Sequence, residues 1–575
     1  MGADNKDSVK HQLYVLCSPF IAKFVLFSVF INILILTPSW YMLEVYDRVI
    51  NSRSYQTLLM VSLLAVLLYA VLEFLEWVRS RIVKEAVHRF DSLLRERIFN
   101  AAFVSRLNAK GGNANRAFSD LKTIRDAADA GWVGAMIDAP LSLLVLIIIY
   151  LIHPFLGLLA TAGVLFLLVF AYLNDRKIQP FMTLSSQNAS AAQNYANSAI
   201  KNAQAVESMG MMNNILQRWQ KFQNAFLLNQ ALASDAAGRS GAVIKVTQVM
   251  QGSLVLGLAC LLTLDNKLAM GGALMIVASI LAGRVVTPIV QLVSQWRQIL
   301  TTKESFLSLV DLLEKYPAGL PAMPLPPPKG ALLVEHVSSG APGSNTMILR
   351  DVSFALKPGE SLAIVGPSAS GKTSLARLLV GVWPSMLGKV RLDGVDVYSW
   401  NKEELGPHVG YLPQGVELFE GTIADNIARF GEVELAKVEA AIKLVGLEDW
   451  LKNLPQGLMT NVGDDGVFLS GGQRQRIAIA RAIYGLPKYI VLDEPNSSLD
   501  DAGDDALLAL LRQLKTFGCT VIVITHRQNL LAVLDKVLVL VNGEVKAFDN
   551  SKKVLAMMHK PTAPVTTEAS TAAVI

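Results

Sequence analysis

Apolar residues crowd the first half of the chain and arrive in runs. Residues 24–43 form a run of about twenty positions, which at roughly 1.5 Å per residue crosses a hydrocarbon layer of about 30 Å as a helix. Residues 57–78, 131–152 and 155–173 are comparable, while 242–264 and 268–295 are weaker, interrupted by Lys245, Gln248, Gln251 and Arg284. The pattern predicts six spanning helices. The first run is too long for a signal-peptide core and further spans follow it, so no cleaved leader is expected.

Between the runs the pattern turns polar and basic. Arg79, Arg81, Lys84, Arg89, Arg95, Arg97, Arg106, Lys110, Arg116, Lys122 and Arg125 accumulate between the second and third spans. Basic residues beside spans stay cytoplasmic, which puts this segment, the N-terminus and everything after the sixth span in the cytosol. Interleaved Asp and Glu argue against a nucleic-acid patch. Across residues 186–229, Ile200, Ala203, Val206, Ile215, Trp219, Phe222 and Phe226 recur at helical steps, predicting an amphipathic extension with a break near Gly210. Pro317, Pro321, Pro324, Pro326, Pro327 and Pro328 cannot continue a helix and mark a boundary. The expected organisation is a membrane domain over 1–316, a linker over 317–329, a second domain over 330–560 and a disordered tail over 561–575.

Composition sharpens this. Of 575 residues, 52% are hydrophobic and 17% charged, with mean hydropathy +0.40. Soluble domains carry about 25% charged residues, so a single water-soluble enzyme is not expected. A net charge of +5 over this length does not by itself indicate a nucleic-acid partner. Cys17, Cys260 and Cys519 lie far apart and form neither a metal-ligand spacing nor a disulfide framework.

The second domain carries the chemistry. A short apolar strand over 361–365 ends in Gly366, Pro367, Ser368, Ala369, Ser370, Gly371, Lys372 and Thr373, followed by Ser374 and a helix. This is a phosphate-binding loop, whose glycines let backbone N–H groups close around phosphates at a helix start. Lys372 is placed to reach the β- and γ-phosphates, and the Thr373 hydroxyl to ligate Mg²⁺. A second apolar strand, 489–492, ends in Asp493 and Glu494. Such a pair alone is an ordinary strand-end acidic doublet. Downstream of a phosphate loop, Asp493 takes the metal role and Glu494 polarises water for in-line attack. Between the two, Leu469, Ser470, Gly471, Gly472 and Gln473 open another helix, by itself only a loop with an anion-binding helix start.

Taken in order, these motifs resemble the ATP-binding cassette, and nearly the whole chain resembles an ABC exporter half-transporter. That implies an α-helical six-span membrane domain followed by an α/β P-loop nucleotide-binding domain. The resemblance places Gln414 in the Q-loop, contacting Mg²⁺ or the attacking water, and makes His526 the switch histidine that contacts the γ-phosphate. It groups Ser470, Gly471, Gly472, Gln473 and Asp500 with the nucleotide-binding residues, Ser470 and Gly472 closing over nucleotide held by the opposite subunit. Residues 460–466 resemble the exporter x-loop, with Asp464 where Glu is usual. Ala341 stands where an aromatic ring ordinarily stacks on adenine, which implies weak base discrimination.

The membrane half narrows the resemblance. Residues 46–53, Asp138-Ala139-Pro140, residues 205–211, residues 283–288 and Gln295-Trp296-Arg297 resemble type I protein-secretion ATPases of the PrtD kind. That family implies ATP-driven export of unfolded polypeptide from the inner membrane, with a periplasmic membrane-fusion protein and an outer-membrane channel. One membrane domain and one cassette per chain imply a homodimer. The turns near 108–126 and 209–216 are the expected rests on the cassettes. An exporter of lipids or drugs would share every cassette residue, and a non-transporting ATP-gated regulator is a third class. For Arg284 a place on the substrate path and a structural salt bridge are both open.

Overall fold

The computed structural model describes residues 9–107, 114–265, 267–268, 271–317, 324–344, 346–463, 466 and 468–558. The chain forms two compact units, one of residues 1–102 and 115–317 and one built on residues 318–575. Asp464, the turn over 108–113 and the tail over 561–575 lie outside the described residues.

Among the described residues, six helices of the N-terminal half are long and apolar enough to cross a membrane. The first covers Val9–Leu34, restarts over Thr37–Glu44 with Pro38 in its opening turn, and passes through a π turn at Val45–Val49. The others are Tyr55–Leu107, Trp132–Ile152, Pro154–Lys201, Met212–Leu264 and Gly271–Ser294. The second, fourth and fifth run 53, 48 and 53 residues. At about 1.5 Å per residue they reach roughly 70–80 Å, more than twice a bilayer core. The expected break near Gly210 is there: one short helix, Ala203–Ser208, separates the long ones, and Gly210 takes φ +64°. The sixth helix stops one residue short of the predicted run, and Trp296–Lys315 continues as a separate helix. At the break, the Gln295 side-chain oxygen accepts the backbone N–H of Trp132 at 3.1 Å, satisfying one open donor at the third helix's start.

The helices pack through small residues. Ala160, Ala259, Ala278 and Ala282 are wholly buried among Leu156, Ile149, Val255 and Val286. Small side chains let backbones approach where lipid offers no hydrophobic drive between helices. Outward positions such as Leu59, Leu63, Val66 and Leu158 stay exposed, as a lipid-facing surface requires.

The first residue of the basic series is paired: the Nη1 of Arg79 lies 3.0 Å from both carboxylate oxygens of Asp138 on the third helix. Asn32 of the first helix donates to the same carboxylate at 2.8 Å. The pair is largely enclosed, with 14% and 16% side-chain exposure, because a charge inside the bundle costs least when paired. Three helices are tied by it.

The second unit holds two sheets. One is four-stranded, ordered β2-β1-β4-β5, from Leu332–Gly340 (β1), Met347–Leu356 (β2), Leu387–Leu392 (β4) and Val395–Asp396 (β5). The other is ordered β10-β9-β3-β8-β7-β6, from Ser361–Val365 (β3), Val409–Leu412 (β6), Tyr489–Asp493 (β7), Thr520–Ile524 (β8), Lys536–Val541 (β9) and Glu544–Asn550 (β10). β9, β3, β8, β7 and β6 are parallel, and β10 closes one edge antiparallel. Every residue of β3, β7 and β8 is buried, which is why these strands read as continuous apolar runs. Because β8 lies between β3 and β7, the segments leaving all three strands meet at one edge.

Candidate nucleotide site

The loop after β3 owes its shape to two glycines. A Cβ on Gly366 would lie 2.0 Å from the Leu540 carbonyl oxygen, and Gly371 takes φ +98° with the Leu349 side chain 2.8 Å from where a Cβ would sit. Ala369 accepts φ +64° between them, a left-handed conformation costing a non-glycine about 1–3 kcal/mol. Pro367, Ser368 and Ala369 form the exposed crest, and Ser370 is buried with no partner for its hydroxyl among the described residues. The helix Lys372–Leu379 follows, carrying Thr373 and Ser374 in its first turn.

Lys372 points back into the loop, donating to the carbonyls of Gly366 at 2.8 Å and Pro367 at 2.9 Å. Burial lowers its pKa, and the charges of Glu494 and Asp493 work in the opposite sense. A cation held against carbonyls by three donors is arranged to turn toward phosphate oxygens.

Acids from β7 face it. Asp493 is 1% exposed and neither carboxylate oxygen has a hydrogen-bond partner among the described residues. Burial pushes its pKa up, the neighbouring Thr373 hydroxyl works in the opposite sense, and the Glu494 charge adds to the rise. An orphaned buried carboxylate beside a hydroxyl and an amide oxygen (Thr373 Oγ1 lies 3.5 Å from Gln414 Oε1) is an oxygen donor set suited to a hard divalent cation. Glu494, at φ +51°, turns out of the strand with its N–H bonded to the Ile524 carbonyl at 3.0 Å. Its carboxylate accepts from Gln414 Nε2 at 3.3 Å and lies 3.7 Å from His526 Nε2. Residues more than a hundred positions apart thus converge: Lys372, Thr373, Gln414, Asp493, Glu494 and His526 share one edge.

The Ser-Gly-Gly turn is built differently. Ser470 caps the helix Gly471–Ile483 in a reciprocal box, its hydroxyl accepting from Gln473 N at 3.3 Å and its own N–H donating to Gln473 Oε1 at 2.9 Å. At Gly472 a Cβ would lie 3.1 Å from the Ser498 carbonyl oxygen, close enough that the Ser498 backbone would have to give by a few tenths of an ångström. Asp500 caps the helix Asp501–Thr516 by accepting from Gly503 N at 2.9 Å, and pairs with Arg476 at 2.5 Å. The Gly503 and Arg476 bonds hold its carboxyl below the ordinary range. No hydrogen bond joins residues 470–473 or Asp500 to the phosphate loop among the described residues. These five do not complete their own chain's site.

Gln475 was not singled out from the sequence. Its Nε2 donates to the Pro495 carbonyl at 3.0 Å and lies 3.4 Å from that of Glu494, fixing the helix Gly471–Ile483 to the acidic strand end. A polar residue on that helix's buried face was the available signal. Ala341 sits in the bend after β1, and His336 is engaged by Asp351 at 2.6 Å.

Comparison with known proteins gives matching families for both units. The ABC transporter family model matches residues 349–497, and that of the ABC transporter transmembrane region matches 21–285. The type I secretion system ATP-binding protein PrsD of Rhizobium meliloti (strain 1021) is 37% identical over 536 residues, 93% of this chain and 92% of its own. An ATP-dependent lipid A-core flippase of Burkholderia pseudomallei (strain 1710b) is 34% identical over 308 residues, 53% of this chain and 51% of its own. Human ATP-binding cassette sub-family B member 6 is 40% identical over 254 residues, 43% of this chain and 30% of its own. Among solved structures, a bacterial Atm1-family ABC exporter with ATP bound superposes with TM-score 0.78 at 22% identity, covering 94% of this chain and 96% of that one, a likeness of fold.

Proposed function

The chain belongs to the ABC transporter family, and from that premise we propose that it is the ATPase and permease of a type I secretion system, exporting polypeptide across a bacterial inner membrane. The observation that carries this is the likeness to PrsD along 93% of the chain, membrane half included. The flippase likeness, which covers 53%, supports lipid export as the second reading. Lys372 and Glu494 are both present, which argues against a non-transporting regulator.

In this reading the loop amides from Gly366 to Ser374 cradle the phosphates of ATP, with Lys372 on the β- and γ-phosphates. Thr373, Asp493 and Gln414 would hold Mg²⁺, which when bound would neutralise charge on the phosphate oxygens. Glu494 orients water in line with the γ-phosphate and takes its proton, and His526, 3.7 Å from that carboxylate, contacts the γ-phosphate. Ser470, Gly471, Gly472, Gln473 and Asp500 complete the nucleotide site of a second copy, so the working unit is a homodimer. Closure on ATP and release after hydrolysis supply two states whose nucleotide affinities differ. The basic loop bias supports a cytosolic cassette.

Co-expression with a membrane-fusion protein, an outer-membrane channel and a candidate polypeptide tests the reading. ATP-dependent appearance of that polypeptide in the medium is expected. Lipid-stimulated ATP turnover with no polypeptide secreted would transfer the case to the lipid exporter.

A further inference from the structure

Five charged residues fall inside the six apolar runs: Glu73, Glu76, Asp138, Lys245 and Arg284. Asp138 is answered within the chain by Arg79. The other four have no ion-pair or hydrogen-bond partner among the described residues. One chain is thus left with two acids and two cations, and a charge inside a span needs a partner or water.

The two acids sit together. Glu73 and Glu76 are three positions apart on the second helix, so they share a face, where like charges repel unless a cation comes between them. Among the described residues little covers that helix. Only 6% of its apolar stretch is buried, Glu73 is exposed, and Val66, two turns before Glu73 on the same stripe, is 64% exposed. Lipid tails can cover Val66, but they offer nothing to a pair of carboxylates.

Depth picks out the cation. Two spans separate the second helix from the fifth, so the end of one and the start of the other lie on the same side of the membrane. Measured inward from Val78 and Ala242, where those apolar runs end, Glu76 lies at about 3 Å, Lys245 at about 4.5 Å and Glu73 at about 7.5 Å. Arg284, about 16 Å in from Gln295, is too deep to meet them. Lys245 is exposed, and Asp175, which lines the same open space, does not pair with it. Gly241 and Gly238, one and two turns before Lys245 on its stripe, have nothing within 4 Å of where a Cβ would sit, so another helix can come close there.

Resting on the two-copy reading, we propose that Lys245 of one copy sits between Glu73 and Glu76 of the other. The arrangement is self-complementary: each copy supplies the cation the other lacks, and a two-fold axis makes two such triads.

The test co-expresses two full-length copies with different tags, one carrying Glu73→Cys and the other Lys245→Cys, and bridges them in membranes with a short bismaleimide. A product bearing both tags is expected. None should form from Leu59→Cys with Lys245→Cys, since Leu59 lies at the opposite end of the second helix, nor from Glu73→Cys beside an unaltered copy. Charge is read separately by native mass spectrometry in detergent. Glu73→Lys/Glu76→Lys should lower the two-copy fraction about tenfold, and adding Lys245→Glu to the same chain should restore it. A product formed only within one chain, no product, or a two-copy fraction indifferent to the reversal overturns the triad. Should the reversed chain fail to bind ATP and so prove unfolded, the cysteine pair still decides. ATP turnover confined to two-copy discs with no two-tag product sinks the triad and leaves the two-copy reading standing; full turnover in one-copy discs sinks the two-copy reading itself.

Discussion

Glu494 shows how one residue's backbone serves its chemistry. At φ +51° it leaves β7 abruptly, and the N–H bond to Ile524 and the Gln475 contact hold the turn that presents its carboxylate to Gln414 and His526. Glu494→Gln keeps the shape and removes the proton acceptor. ATP turnover should fall at least about a hundredfold while nucleotide binding persists, measured by phosphate release beside binding of a fluorescent analogue. Ala341 offers the converse case, a position lacking a side chain that stacking needs. A base–aromatic stack is worth about 1–3 kcal/mol, so ATP and GTP should bind within a few-fold of each other and Ala341→Tyr should favour ATP by about tenfold. Equal competition curves before and after that change would refute it. Lys372, Thr373, Asp493 and Glu494 were readable because each sits in a short string beside a buried strand. Gln475 was not, since its acceptors lie some twenty positions away and only the packed helix brings them near.

At the scale of elements, the spanning helices were legible from apolar runs, and the break at Gly210 from a change in period. The tie among the first three helices was not, because Asn32, Arg79 and Asp138 are far apart in sequence and Arg79 resembles its basic neighbours. Asp138→Asn should destabilise the membrane unit by about 3 kcal/mol, the low end for breaking a buried pair because both partners keep some exposure. Thermal unfolding in detergent measures this, and Arg79→Gln combined with Asp138→Asn should recover part of the loss. The cassette has its own polar joint at the foot of the P-loop strand. Asp535 accepts from the Ser361 amide at 3.0 Å and hydroxyl at 2.8 Å, and from Lys515. Burial alone would raise its pKa, but those bonds outweigh it and hold the carboxyl below the ordinary range. The folded state therefore binds fewer protons than the unfolded one over that interval, so this stabilisation is present above the ordinary carboxylate pKa and is lost as pH falls through the lowered one. Asp535→Asn should flatten the acid limb of the cassette's unfolding curve. An unchanged limb would assign it to other carboxylates.

For the whole molecule, the decisive feature is the division within the proposed nucleotide-binding residues. Lys372, Thr373, Gln414, Asp493, Glu494 and His526 converge in one chain, whereas Ser470, Gly471, Gly472, Gln473 and Asp500 satisfy one another and their own helices. That the second set serves another copy is implied by resemblance alone, since spacing along a chain carries no information about a second copy. The direct measurement is ATP turnover per chain in nanodiscs sorted to hold one copy or two. Two-copy discs should hydrolyse ATP and one-copy discs should bind it with almost no turnover; equal turnover per chain in both would contradict the account.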